Sequence, residues 1–188
     1  MTQPSFVHLR LHSEYSIADG VVRIGAAADA AAADGMPALA LTDLGNLFGA
    51  VKFYQAVRAR GVKPVIGCDV WVSNDADRDK PHRLVLLAQS HEGYLRVCRL
   101  LSAAYLGNQH RGRAELRTEW LDESGSDGLI ALSGAHQGAV GTALLQGNVE
   151  LARRHAERLA RLFPGRFYLE VQRQGLPQCE THVQRALD

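Results

Sequence analysis

Apolar and polar side chains alternate along residues 6–12. The apolar positions are Val7, Leu9 and Leu11, and the polar positions are His8, Arg10 and His12. A period of two is typical of a β-strand, because successive side chains point to opposite faces. The alternation predicts a first strand with one apolar face for the core and one polar face that carries both histidines.

Segments with a helical pattern then alternate with short apolar runs. Strands are predicted at 38–43, 65–72, 84–87, 129–132 and 167–171, and helices at 24–34, 47–57, 92–106 and 149–163. Residues 107–127 are polar and carry no clear pattern. Strands that alternate with helices indicate an α/β fold with a mostly parallel sheet. A (β/α) barrel and a doubly wound open sheet both fit this order, although six strands would leave a barrel open.

Composition narrows the classes of function. Lys plus Arg number 21 and Asp plus Glu number 20, so the formal net charge is +1. Proteins that grip DNA by its phosphates usually carry a basic excess, so broad electrostatic binding of nucleic acid is not expected. The three cysteines Cys68, Cys98 and Cys179 lie far apart, which fits a reducing compartment. With no signal peptide and no apolar run of about 18 residues, we expect a soluble cytoplasmic protein without membrane contact.

Polar residues that can bind a metal or a substrate lie at the predicted strand ends. His8 and His12 are four residues apart, roughly 13 Å along a strand, so they do not share one ion, and Arg10 between them repels a cation. Asp43 follows the second predicted strand, where it fits either a ligand or a cap of the next helix. Ser133 lacks the Gly-x-Ser-x-Gly pattern of a nucleophilic serine.

The remaining charged residues favour ordinary surface roles. Four arginines on the predicted helix 149–163 are interspersed with Glu150 and Glu157, which indicates a solvated helix face more than a nucleic-acid patch. These arginines are Arg153, Arg154, Arg158 and Arg161. Five further histidines are isolated in the sequence and are interpreted as surface or capping residues. They are His91, His110, His136, His155 and His182.

Several longer segments together resemble a known family. They are residues 6–20, 35–43, 46–54, 63–67, 92–94 and 132–134. They closely resemble the PHP (polymerase and histidinol phosphatase) domain, in the form found at the start of bacterial DNA polymerase III alpha subunits. The resemblance implies a distorted seven-stranded (β/α) TIM-like barrel that lacks its last strand here. It also implies that residues 1–188 are the N-terminal PHP domain of a longer polymerase chain.

Active members of this family bind a cluster of metal ions and hydrolyse phosphoesters, and in some alpha subunits they act as a 3′–5′ proofreading nuclease. By resemblance, three ligand positions remain: His12, Asp19 and Asp69. Four positions are altered: Arg10, Leu44 and Arg83 stand where the family has histidines, and Ala135 stands where a cysteine often follows Ser-Gly. The pattern is that of the proteobacterial type, in which the metal site is degenerate.

The altered positions predict a site that holds no metal. Arg10 and Arg83 place fixed positive charges where divalent cations would bind, because a guanidinium does not deprotonate. We expect these two arginines to pair with Asp19 and Asp69 instead. The domain itself is then catalytically inactive and needs no cofactor.

The resemblance also implies partners. The domain would support the polymerase and dock the epsilon proofreading exonuclease within the polymerase III holoenzyme. DNA would be bound by the parent chain and little by this domain. The parent chain would be a nucleotidyltransferase of DNA replication that uses magnesium. The alternative is a residual metal-dependent phosphoesterase or 3′–5′ exonuclease.

Overall fold

The computed structural model describes residues 6–121 and 123–187. The helices are α1 (Ile24–Ala33), α2 (Ala50–Arg58), α3 (His91–Gly107), α4 (Glu123–Ser126), α5 (Ala139–Leu145), α6 (Val149–Leu162) and α7 (Pro177–Leu187). The strands are β1 (Ala38–Leu41), β2 (Lys63–Val72), β3 (His82–Ala88), β4 (Gln109–His110), β5 (Arg113–Leu116), β6 (Leu129–Leu132) and β7 (Phe167–Tyr168). The chain divides into two compact units, Met1–Asp69 and Val70–Asp188.

The first unit is a small α/β core. β1 pairs in parallel with the first half of β2, from Ala38 opposite Lys63 to Leu41 opposite Ile66. Its buried apolar residues come from both helices and from β1. They are Ile24, Ala28, Ala31, Leu39, Leu41, Phe53, Val57 and Val62. α1 ends as the sequence predicts, because Gly35 adopts a φ of 68°, a left-handed conformation that glycine tolerates without strain.

The prediction of a strand at residues 6–12 is wrong, because this segment forms no regular strand and only follows β1 through two backbone hydrogen bonds. The backbone N–H groups of Ala40 and Thr42 donate to the carbonyls of His8 and Leu11, each over 2.9 Å. Two residues along β1 therefore match three residues along the N-terminal segment, as in a β-bulge. One extra residue reverses the facing of side chains, so the predicted apolar face is wrong at Leu9, which is 43% exposed.

The second unit contains a mixed sheet. Its strand order is β4-β5-β2-β3-β6-β7, with β2 running on from the first unit. β5 pairs in parallel with β2, and β7 pairs in parallel with β6. β3 pairs antiparallel with β6, and β4 pairs antiparallel with β5. The prediction of a mostly parallel sheet is therefore wrong for this unit, because alternation along the sequence fixes the order of elements and not the direction of each pairing.

The segment without a clear pattern contains a hairpin. β4 and β5 are joined by Arg111 and Gly112, whose φ angles are 49° and 78°. Positive φ at both central residues is typical of the tight turns that join antiparallel strands. The hairpin escaped prediction because β4 has two residues and is too short for a periodic pattern.

The helices of the second unit confirm most sequence expectations. α6 begins at an Asn148 cap, whose side chain accepts a hydrogen bond from the Leu151 N–H. Its arginine face is solvated as predicted, since Arg153 is 63% exposed and pairs with Glu150 over 2.9 Å. α5 packs on α6 through Val140, Ala143, Leu144 and Ala152 and has no counterpart among the predicted helices. Within the described residues, no helix combines the length and apolar character needed to cross a membrane.

Candidate functional site

Asp69 is the centre of a charged cluster in the first unit. Its side chain is fully buried on β2. The Arg10 guanidinium donates to Asp69 Oδ2, and His12 Nε2 lies 3.1 Å from the same oxygen. The predicted pairing of Arg10 with a carboxylate is confirmed, and the N-terminal segment supplies both of these side chains.

His12 links the two acids of the cluster. Its Nδ1 lies 3.0 Å from Asp19 Oδ1, so both ring nitrogens face carboxylate oxygens. His12 therefore bridges the two carboxylates, and Arg10 supplies the fixed positive charge of the cluster.

The Ser16 hydroxyl fixes the turn that carries Asp19. Ser16 Oγ donates to Asp19 Oδ1 over 2.6 Å and accepts from the Leu44 N–H over 3.0 Å. Leu44 thus contributes its backbone N–H to the cluster. Its half-buried side chain has no nitrogen or oxygen atom that could bind a metal ion. Gly20 closes the turn at a point where an added Cβ would lie 1.9 Å from the Ser13 carbonyl oxygen, so a side chain does not fit there.

Asp43 is the second buried carboxylate of the unit. Its oxygens accept from the Ser13 N–H over 2.6 Å and from the Ser13 hydroxyl over 2.9 Å. Burial raises the pKa of Asp43, and the two Ser13 hydrogen bonds partly oppose that rise. The interpretation of Asp43 as a helix cap is wrong, because α2 begins after Gly49 without any side-chain cap. Asp43 instead anchors the N-terminal segment.

The other two altered positions lie in the second unit. The guanidinium of the buried Arg83 lies 4.5 Å from the centre of the Trp71 ring, a cation–π contact. Ala135 is buried at the start of a short 3₁₀ turn, with a φ of 49°. The pairing of Arg83 with a carboxylate stays a prediction.

The side chains around Asp69 do not fit the metal cluster of active PHP members. Asp69 accepts from Arg10, which keeps its charge. Both ring nitrogens of His12 already contact carboxylate oxygens, those of Asp19 and Asp69. Across residues 6–121 and 123–187, no group of three or more His, Cys, Asp or Glu side chains is arranged to hold an ion.

Sequence reasoning missed Ser13 and Ser16. Both are fully buried. The Ser13 hydroxyl donates to Asp43, and the Ser16 hydroxyl donates to Asp19. Their signal in the sequence is weak, because small polar residues next to Asp19 and Gly20 equally predict an exposed turn. Only the fold brings Asp43 to Ser13, across 30 residues of chain.

Comparison with known proteins shows the family of this chain. The sequence matches the PHP domain family over residues 8–174. It is 49% identical to the DNA polymerase III subunit alpha of Neisseria meningitidis over 174 residues, which are 92% of this chain and 15% of that protein. It is 40% identical to the Escherichia coli K12 subunit over 188 residues, 100% of this chain and 16% of that protein. The chain thus spans less than a fifth of the length of these relatives.

One solved structure that is similar to this chain is an amidohydrolase from Chromobacterium violaceum with bound sulfate and no metal. It is 21% identical, has a TM-score of 0.44, and the match covers 82% of this chain and 49% of that one. The family match extends from His8, two residues before Arg10, to Gln174 in the second unit. By that match and by its similarity to the alpha subunits, the chain belongs to the PHP domain family.

Proposed function

We propose that this chain is the PHP domain of a DNA polymerase III alpha subunit and that it works as a metal-free structural module. In that role it supports the polymerase and docks the epsilon proofreading exonuclease. Similarity to alpha subunits over 92–100% of the chain supports the assignment. The strands belong to the distorted TIM-like barrel expected of PHP domains. The parent chain is a magnesium-dependent DNA polymerase of the cytoplasm.

The contact of Arg10 with Asp69 carries the proposal. By resemblance, Arg10 stands at a histidine ligand position and Asp69 at a carboxylate ligand position. A guanidinium that neutralises the buried carboxylate takes over the charge-balancing task of a metal ion, but it neither lowers the pKa of a water nor binds a phosphate for hydrolysis there. Proofreading then depends on a separate nuclease, which this domain holds.

Binding measured with the purified chain tests the proposal. We expect saturable binding to the cognate epsilon subunit, and only weak binding to single-stranded DNA that fades as salt is added, because the net charge is +1. A nuclease assay with added manganese should show no cleavage of single-stranded DNA. The nuclease assay should be repeated after gel filtration, so that a contaminating nuclease is separated from the chain.

The alternative function, a residual phosphoesterase, predicts the opposite results in both assays. Manganese-dependent cleavage that follows the chain through gel filtration, without any binding of epsilon, would replace the structural module by the residual nuclease. Cleavage lost in an Asp69→Asn variant would assign that activity to the cluster.

A further inference from the structure

Two histidines of the second unit have no part in the proposed function. His82 begins β3 and His155 lies on α6, and their ring centres are 6.0 Å apart. Both are half-buried, and neither ring nitrogen has a hydrogen-bond partner among the described residues. The interpretation of His155 as an isolated surface residue is therefore wrong, because the fold brings it beside His82.

The two imidazoles stand where two cavities meet. The cavities have volumes of about 200 and about 430 Å³. Both are lined by Asn74, Ala76, His82, Ala139 and His155. Taken together they reach the size range of small-molecule sites, in which a few polar groups converge within apolar walls.

One permanent positive charge and two imidazoles lie at this junction. Arg158 lines the smaller cavity together with both histidines. Burial lowers the pKa of His82, and proximity to His155 adds to the effect. Burial also lowers the pKa of His155, and the nearby Arg158 and Arg154 add to it. Arg158 therefore supplies the charge that attracts an anion, and each neutral imidazole offers one N–H donor.

Acidic residues nearby do not cancel this charge. Asp77 lines the larger cavity but pairs with Lys80 over 3.0 Å. Asp75 is an exposed residue at the edge of the smaller cavity. Arg158 lies 4.0 Å from Glu119, a long contact between two exposed side chains that leaves the guanidinium able to bind a further anion.

We propose that this junction binds a small phosphorylated molecule. The phosphate accepts hydrogen bonds from His82, His155 and Arg158, which are donors suited to a phosphate oxygen. The remainder of the ligand fills the smaller cavity, whose apolar walls accept a planar ring. Those walls are Val72, Leu84, Leu121 and Leu159.

Three probes separate the parts of this proposal: orthophosphate, deoxyadenosine and deoxyadenosine monophosphate. Histidine ring resonances of the purified chain are followed by NMR during each titration. We expect orthophosphate and the nucleotide to shift the His82 and His155 resonances saturably, with the nucleotide binding more tightly. Deoxyadenosine alone should bind far more weakly, since it lacks the charged group.

Variants test the residues. His155→Ala and Arg158→Ala should each weaken nucleotide binding by about tenfold or more, as expected for the loss of a charge-assisted hydrogen bond. His82→Gln provides a milder change should His155→Ala fail to fold. Arg161→Ala is the matched control, because Arg161 is an exposed residue of the same helix that does not line either cavity. Arg161→Ala should leave the affinity unchanged.

Any of three results would overturn the proposal. One is the absence of a saturable shift with both orthophosphate and the nucleotide. Another is nucleotide binding that folded His155→Ala and Arg158→Ala variants retain in full. Equal binding of deoxyadenosine and its monophosphate would also contradict it, because the phosphate would then contribute nothing.

Discussion

Two carboxylates of the described residues have no exposed surface, Asp69 in the first unit and Glu115 in the second, and their surroundings differ. Arg10 and His12 contact Asp69, and their side chains are only 14% and 16% exposed. The partners of Glu115 are Arg78 and Arg113, which are 40% and 28% exposed, together with the Ser73 hydroxyl at 3.2 Å.

The two units offset the cost of removing a carboxylate from water in two different ways. Glu115 relies on two arginines that keep contact with water, so that no single partner is indispensable. One oxygen of Asp69 contacts two shielded side chains of the N-terminal segment, those of Arg10 and His12. Removing one cation from such an enclosed site leaves a buried charge poorly compensated. The first unit should therefore respond far more sharply to a single substitution.

The largest expected effect is that of Arg10→Met. It leaves the buried carboxylate of Asp69 without its guanidinium and should lower the free energy of unfolding by about 3–5 kcal/mol. Urea denaturation followed by circular dichroism measures the change. Arg23→Met is the control, because Arg23 is an exposed arginine of the same unit, and its loss should cost under about 1 kcal/mol. Adding Asp69→Asn to Arg10→Met should recover part of the loss.

Arg78→Met tests the other carboxylate. Glu115 keeps Arg113 and Ser73, so the free energy of unfolding should fall by only about 1 kcal/mol. The same denaturation assay applies. A loss as large as that of Arg10→Met would show that the two buried carboxylates are equally dependent on one partner and would break the comparison.

Asp43 predicts a dependence on pH. Its pKa is raised in the folded chain, so the folded state binds this proton more tightly than the unfolded state does. The stability contributed by this group is present below the ordinary value of 3.8 and is lost as the pH rises through the raised pKa. The stability of the parent relative to Asp43→Asn should decline over that range in urea titrations. A constant difference across the range would contradict the raised pKa.

The smallest expected effect is that of metal ions. With Arg10 on Asp69, added Mn²⁺ or Zn²⁺ should shift the melting temperature by less than about 1 °C, since a ligand stabilises only the state that binds it. A PHP protein that has histidines at the positions of Arg10, Leu44 and Arg83 is the positive control. Two or more transition-metal ions per chain in elemental analysis would refute the expectation.

The sequence was most informative where a pattern is long. The alanine-rich helix with its glycine stop and the amphipathic arginine-bearing helix both appear within a residue or two of their predicted bounds. The pairing of Arg10 with a carboxylate also followed, because a ligand position that changes to arginine has few partners other than the acids that remain.

Contacts distant in sequence were beyond prediction. The rings of His82 and His155 lie close together although 73 positions separate them in the sequence. No local sequence pattern indicates that contact. His182 was interpreted as a surface or capping residue, yet it is buried on α7. Its helix places it beside Cys179 and Val183 among the buried residues, a burial that depends on what the helix packs against.

The extra residue between His8 and Leu11 makes chain length, as well as residue type, a determinant of the charged cluster. Deleting Leu9 would remove the extra residue and let this segment pair with β1 residue for residue. Regular pairing of this kind is normally expected to stabilise a protein. The same deletion would turn the side chains that precede it to the opposite face of the segment. His8 would then no longer lie on the same face as Arg10 and His12. When homologues are aligned, a one-residue gap here therefore marks a difference in which side chains face Asp69, even where the flanking residues are identical.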